Sequence, residues 1–382
     1  MEEKKRRGVK HNIPLDIVEE IMLKLPVKSL VRFKAVSREW RGAMESKCFE
    51  EKHMRYKKSL QGGQASYVEI PLEKKGQINL QNLLLTSNGI LQYASLYPPI
   101  MHLPPYYGFK ISASCDGLFC LYNIYTRVFH LVNPATTSHR ILPDLISEVV
   151  VSGHVRHSLV AGIGRENSVS PRYKLVCYFN DDNKKDNEST RCKVFALDSN
   201  TWRYVDGPPV GRVHYDHPMM HLDGVIYSFS YYLENNHFEQ DHKVLAFDLH
   251  TETFQTFPIT PAIEFTYINC ICMCVLNHRI CIFKRHVCYQ SDLFYKLWGL
   301  DINKRTWDIM YSINVSCIPS KVRGWTIAPI ATINNYVIFS NSYCFIWGHS
   351  GSKNKDDFII NRTSSPSPYF MSYVETLVSA YQ

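Results

Sequence analysis

The chain has 382 residues, 45% of them apolar and 20% charged, a composition of folded protein that argues against an extended disordered chain. That length exceeds one ordinary hydrophobic core, so at least two units are expected. The net charge of +8 is concentrated in residues 1–60, which hold 16 Lys and Arg against 9 Asp and Glu, whereas the remainder holds 27 against 26. A near-neutral large part excludes a general nucleic-acid-binding surface, and the basic end suits an acidic partner.

Residues 1–11 read as a basic disordered tail in which Lys4, Lys5, Arg6 and Arg7 stand together, open between a nuclear import signal and a solvated segment. No apolar stretch follows Met1, and no apolar run approaches the roughly 20 residues that span a bilayer. A soluble protein of the nucleus or cytoplasm, without membrane association, is therefore expected. In that setting the 12 cysteines are expected to be reduced and mostly buried. The sequons at Asn187, Asn314 and Asn361 read as loop residues.

Past the tail, Ile17, Ile21 and Leu25 fall at helical spacing, on a helix opened by Pro14 and ended by Pro26. Asp16, Glu19 and Glu20 place negative charge at its start, where the helix dipole favours it. Val27, Leu30 and Phe33 make a second apolar set, and Ser37 is the expected cap of a third helix carrying Trp40 and Met44. Three short helices bury little surface alone, so the unit leans on the rest of the chain or on a partner.

The string Ile13-Pro14-Leu15-Asp16-Ile17-Val18-Glu19-Glu20-Ile21, followed by Leu25-Pro26-Val27-Lys28-Ser29-Leu30 and by Val36-Ser37-Arg38-Glu39-Trp40, resembles an F-box over residues 12–56. Ile13 stands where that family usually has Leu. The resemblance implies docking onto a Skp-type adaptor and, through it, a cullin scaffold. It assigns the contact to Pro14, Leu15, Ile17, Ile21, Leu25, Pro26, Leu30, Val36 and Trp40, with large central apolar groups carrying most of the energy. The plainer reading makes the same side chains the core of a small helical domain.

Residues 57–65, with Lys57, Lys58, Gly62 and Gly63, read as a polar linker. From about Ser66 onward the pattern is one of short strands, with Asn88-Gly89 marking a hairpin. An internal repeat follows: Cys192 to Asp198 leads to Thr201-Trp202, Val244 to Asp248 to Thr253-Phe254, and Lys296 to Asp301 to Thr306-Trp307. The three Asp positions are 50 and 53 apart, a kelch-like period of one four-stranded propeller blade. Val128 to Pro134 is an earlier copy with Asn133 in place of Asp. The predicted fold is thus α+β by domain: a three-helix module, then an all-β, propeller-like domain of about six blades over 66–382.

Ser114-Cys115-Asp116-Gly117-Leu118, Asn133-Pro134-Ala135-Thr136, Tyr173-Lys174-Leu175-Val176, Leu222-Asp223-Gly224-Val225-Ile226-Tyr227 and the closing Tyr373-Val374-Glu375-Thr376-Leu377 also resemble the F-box-associated domain of plant proteins. Gly162-Ile163-Gly164-Arg165 departs from that pattern. The two resemblances together imply a substrate receptor of an SCF-type ubiquitin ligase, with a target protein held on the β-domain and transfer driven by proximity. An interaction protein outside any ligase and a propeller-fold enzyme are the alternatives.

No motif points to catalysis, a cofactor or a metal. Cys270, Cys272 and Cys274 alternate along one strand face, where thiols do not converge on a tetrahedral ion. His214, His217 and His221 are interrupted by Pro218 and have no second ligand cluster. Gly162-Ile163-Gly164 lacks the third glycine and the following helix of a dinucleotide loop. Asp181-Asp182 and Asp356-Asp357 read as solvated charge, and the long polar stretch from Asn180 to Thr190 and the segment from Gly348 to Pro368 as loops open between recognition and no role.

Overall fold

The computed structural model describes residues 13–60, 64–71, 81–86, 91–96, 108–145, 159–180, 190–209, 212–233, 240–259, 271–284, 294–314, 328–333, 336–340, 344–349, 359–362 and 368–381. The basic tail, the stretch 181–189 with Asn187, Cys270, and Asp356-Asp357 lie outside them.

The described residues open with four helices: α1 (Leu15–Lys24), α2 (Val27–Phe33), α3 (Arg38–Glu45) and α4 (Lys47–Ser59). Pro14 and Pro26 precede α1 and α2, where a missing N–H costs nothing. The Ser37 hydroxyl caps α3 by accepting the Trp40 N–H at 3.1 Å, and Ser46 caps α4 through the Phe49 N–H at 3.2 Å. The fourth helix corrects the three-helix expectation. Ser46, Phe49, His53 and Met54 supply its cap and its buried side, and Lys57 and Lys58 belong to its last turn, where cations suit the dipole.

Among the described residues, six antiparallel sheets follow. The first holds β1 (Gln64–Pro71), β2 (Gln81–Thr86) and β3 (Leu91–Leu96). Leu85 pairs with Leu91, as the Asn88-Gly89 signal implies, although those two residues lie outside the described ones. The second holds β4 (Phe109–Ile111), β5 (Phe119–Asn123), β6 (Phe129–Asn133) and β7 (Ser138–Ile141). The third holds β8 (Leu159–Arg165), β9 (Tyr173–Asn180), β10 (Thr190–Ala196) and β11 (Thr201–Val205). In the fourth, β12 (Arg212–Val213) and β13 (Met220–Leu222) share the inner edge of β14 (Val225–Leu233), beside β15 (Gln240–Asp248) and β16 (Phe254–Pro258). The fifth holds β17 (Ile271–Leu276), β18 (Arg279–Lys284), β19 (Phe294–Asp301) and β20 (Thr306–Asn314). The sixth holds β21 (Ala328–Ile333), β22 (Tyr336–Ser340), β23 (Cys344–His349) and β24 (Ile359–Arg362). The last strand, β25 (Pro368–Ser372), returns to pair with β1, Val68 opposite Met371. Sheets meet through their inner strands, β5 on β8, β13 on β8 and β17, β17 on β21, and β21 on β1 and β25. Among the described residues this is a propeller-like arrangement of six sheets in which the last strand returns to complete the first sheet, the radial repetition leaving only short sheet edges.

The sequence repeat is the outer hairpin of successive blades. Asp248 Oδ1 accepts the His250 and Thr251 N–H groups at 2.8 Å, Asp301 Oδ1 accepts Lys304 N–H at 3.0 Å, and Asn133 Oδ1 accepts Ala135 N–H at 3.0 Å. Each turn closes on a left-handed residue: Thr137, Asn200, Glu252 or Arg305. In the third blade the place of Asp248 is taken by Ala196, whose carbonyl accepts the Asn200 N–H as that of Asp248 accepts Glu252. Asp198 lies two residues further on, so aligning the copies on Asp198 is off by two. The aromatic after each Thr joins neighbouring blades: Trp202 Nε1 donates to Pro143 O at 2.9 Å and Trp307 Nε1 to Pro258 O at 2.8 Å.

Gly162 and Gly164 lie within β8 rather than on a ligand loop. A Cβ on Gly164 would come within 2.6 Å of both His221 and Leu249, so the third and fourth blades approach as closely as they do because that side chain is missing. Asn314 ends β20 and Asn361 lies in β24, so these two sequons are strand rather than loop positions.

Candidate adaptor-docking surface

The helical module has two apolar faces. Met22, Val27, Leu30, Met44 and Phe49 are buried and share one core cluster with Phe119, Leu121, Val132 and Ala135 of the second blade and with Tyr373 and Leu377 of the C-terminal segment. The other face is solvent-exposed. Of the 15 exposed large apolar side chains among the described residues, seven lie between positions 13 and 36: Ile13, Leu15, Ile17, Ile21, Val31, Phe33 and Val36. Exposed apolar groups concentrated in this way mark an interaction surface, since a solitary exposed Leu or Ile is ordinary.

The nine sequence-predicted contact residues divide accordingly. Pro14, Leu15, Ile17, Ile21, Pro26 and Val36 are exposed, and Leu25 and Trp40 are half-buried. Trp40 packs on the shared core and meets Phe33 edge-on at 5.9 Å. Leu30 is fully buried. In the free chain it lies in the core that the helices share with the second blade and the C-terminal segment. The α1 pattern of Ile17, Ile21 and Leu25 is not one uniform face either, because Leu25 stands beyond the helix end and packs inward.

The joint between the helices and the ring is polar as well as apolar. Asp116 sits at the inner turn of the second blade, in the left-handed region with φ 50°, followed by Gly117 at φ 81°. Its carboxylate accepts from Lys58 Nζ at 2.5 Å and from the Tyr173 hydroxyl at 2.9 Å, with Arg165 at 4.0 Å. Arg165 also pairs with Glu51 of α4. His53 is buried in the same helix, with Nε2 3.1 Å from Leu25 O, and burial pushes its pKa down. The C-terminal segment completes the joint. Asn133 Nδ2 donates to the Thr376 and Val378 carbonyls at 3.2 and 2.7 Å, Tyr373 donates to Asn133 Oδ1 at 2.8 Å, and Thr376 Oγ1 donates to Asp116 O at 2.5 Å.

The thiols and imidazoles singled out in the sequence fit into this framework. Cys115 Sγ lies 3.4 Å from His221 Nδ1, but burial and then Asp116 push the thiol well above its ordinary value, the opposite of an activated nucleophile. His221 lies in β13 and its Nε2 is 3.0 Å from Arg165 O. His214 instead stacks on His242, with Nε2 3.2 Å from Nδ1, and burial followed by the charges of His242 and His217 lowers its pKa to about 3. His217 meets Phe229 edge-on. Cys272 and Cys274 are buried in the core of the fifth and sixth blades. Among the described residues, no group of three or more His, Cys, Asp or Glu side chains has a metal-binding arrangement, and no helix is long and apolar enough to cross a membrane.

The model of the F-box domain matches residues 11–52, and that of the F-box associated beta propeller domain matches residues 88–380. The chain belongs to the F-box proteins with an F-box-associated propeller. An F-box/kelch-repeat protein of Arabidopsis thaliana is 30% identical over 322 residues, covering 79% of this chain and 71% of the relative. An F-box protein of the same plant is 32% identical over 330 residues, covering 81% and 70%. A further Arabidopsis F-box/kelch-repeat protein is 30% identical over 340 residues, covering 83% and 76%. F-box domains as a class bind Skp-type adaptors, and receptors that join an F-box to a propeller are in general not enzymes.

Glu51, Lys58 and Arg165, which make the charged joint between the helices and the blades, are residues that sequence reading did not single out for a role. Lys58 looked like linker, and Arg165 stood in the segment that departs from the family pattern. The available signal was helical: Glu51 and Lys58 are seven positions apart, two turns along one face.

Proposed function

We propose that this F-box protein is the substrate-recognition subunit of an SCF-type cullin ubiquitin ligase. The F-box takes a Skp-type adaptor and through it the cullin, and the propeller holds an unidentified target protein in the nucleus or cytoplasm. The observation that carries this reading is the apolar face of α1 and the α2–α3 connection, turned to solvent while the opposite face is already buried against the ring. Burying an Ile or Leu side chain completely is worth about 1.5–3 kcal/mol, so half-exposed Leu15, Ile17, Ile21 and Val36 retain enough unburied area to support a stable interface. In this reading the chain performs no bond chemistry; it raises the rate of transfer by holding target and ubiquitin-loaded machinery together.

Co-purification of the intact chain with a Skp-type adaptor and a cullin tests the proposal. Stoichiometric capture is expected, and it is expected to be lost in an Ile17→Glu, Ile21→Glu variant that retains the fold, because both positions face water in the free protein. A folded intact chain that captures neither protein rejects the ligase reading.

A further inference from the structure

An F-box tethered by a flexible linker would let the two ends of a receptor move independently. The joint seen here has a different construction. Helix α4 sends Glu51 and Lys58 from the same face, two turns apart, into two different blades. Lys58 reaches Asp116 in the second blade and Glu51 reaches Arg165 at the end of β8 in the third. Asp116 and Arg165 are themselves joined, at 4.0 Å, and Tyr173 donates to the Asp116 carboxylate while its ring lies beneath the Arg165 guanidinium, 5.9 Å away. The charges therefore form a closed loop from α4 through two blades and back to α4. The Asp116 side chain is nearly buried, at 4% exposure, so its pairing is little screened by solvent, unlike an ordinary surface ion pair. Beneath this loop lies the apolar cluster that both units share.

We propose that Asp116 and Arg165 are positioning residues that lock the F-box onto the propeller as one rigid unit. The adaptor-docking face and the target-binding end of the ring are thereby held at a fixed separation. The consequence for ubiquitin transfer rests on the ligase reading above, because a rate gain from proximity is lost when the two bound partners wander relative to each other. The lock itself does not depend on that reading.

The test is a distance measurement by pulsed electron paramagnetic resonance on the full chain. One label is placed at Cys48, exposed at the start of α4, and the other at Thr251→Cys, exposed in the β15–β16 turn. Cys270, Cys288, Cys317 and Cys344 are changed to Ser in the background. A single narrow distance is expected. In an Asp116→Asn, Glu51→Gln variant that narrow distance is expected to be lost, and the α4 amides to lose about ten- to a hundredfold of their hydrogen-exchange protection. Asn tolerates the left-handed turn and still accepts from Tyr173, so only charge is removed. The propeller is expected to keep a cooperative melting transition, at a lower temperature because Arg165 loses its carboxylate partner within the ring as well as the one on α4. Should that variant fail to fold, Lys58→Met, at a half-exposed lysine, gives the same comparison. A broad distribution in the unaltered joint, or an unchanged narrow one in the variant, overturns the proposal. A narrow distance in a chain that captures no adaptor keeps the lock and rejects the ligase reading.

Discussion

Leu30 and Ile21 are both apolar and stand nine positions apart in the F-box, yet their truncation is expected to do opposite things. Leu30 has no exposed surface and belongs to the core that the F-box shares with the second blade and the C-terminal segment. Leu30→Ala removes buried groups and leaves a cavity, a loss of about 2–5 kcal/mol. Ile21 is 52% exposed, so about half of its transfer energy is not invested in the fold, and Ile21→Ala is expected to cost about 1 kcal/mol. In adaptor binding the order reverses: Ile21→Ala is expected to weaken affinity by about tenfold per 1.4 kcal/mol of contact removed, whereas Leu30→Ala acts only through the population folded. Urea denaturation followed by far-ultraviolet circular dichroism gives the first pair of numbers and titration calorimetry the second. Equal destabilisation by the two variants, or a larger effect at Ile21, refutes the two-faced account of the F-box.

Gly117→Ala is expected to destabilise by about 1–3 kcal/mol or more, because φ is 81° there and a Cβ would stand 2.7 Å from the Val374 carbonyl and from Thr376 Oγ1; thermal melting measures it. Stability is also expected to fall as the pH drops below about 6.5, the ordinary imidazole value. His53 is pushed down by burial, His130 to about 4 by burial and then by His139, and His214 to about 3. A histidine whose folded pKa is depressed takes up its proton in the unfolded chain first, so its contribution is complete above 6.5 and is lost as the pH falls towards the folded value. Melting temperature against pH is the measurement, with a shallower slope expected for His130→Gln and an unchanged slope contradicting the assignment.

Much of this architecture was legible in the sequence, because it is written in local chemistry. Proline before a helix, Ser37 at a cap and Asp or Asn opening a tight turn act within a few residues, so α1, α2, α3 and the outer hairpins of the blades could be located from pattern alone. Spacing also gave the blade count, although the copy in the third blade was misaligned where Ala196 takes the place of the turn-capping Asp. What pattern does not contain is which of two apolar faces is covered by a distant part of the chain. Leu30 and Ile21 look alike in sequence, and only the fold shows that Tyr373 and Leu377, more than 300 positions away, help to bury one of them. The charged joint was hidden for the same reason. Glu51, Lys58, Asp116 and Arg165 are unremarkable singly and come together through pairings that span up to 114 positions.

Hydrogen exchange of the intact chain with and without a Skp-type adaptor tests the docking surface most directly. The account requires new protection in residues 13–36, on the exposed face of α1, α2 and the α2–α3 connection, with α4 and the C-terminal segment unchanged because their apolar sides already pack into the shared core in the free protein. Protection that instead falls on the blades, or none at saturating adaptor, would contradict it.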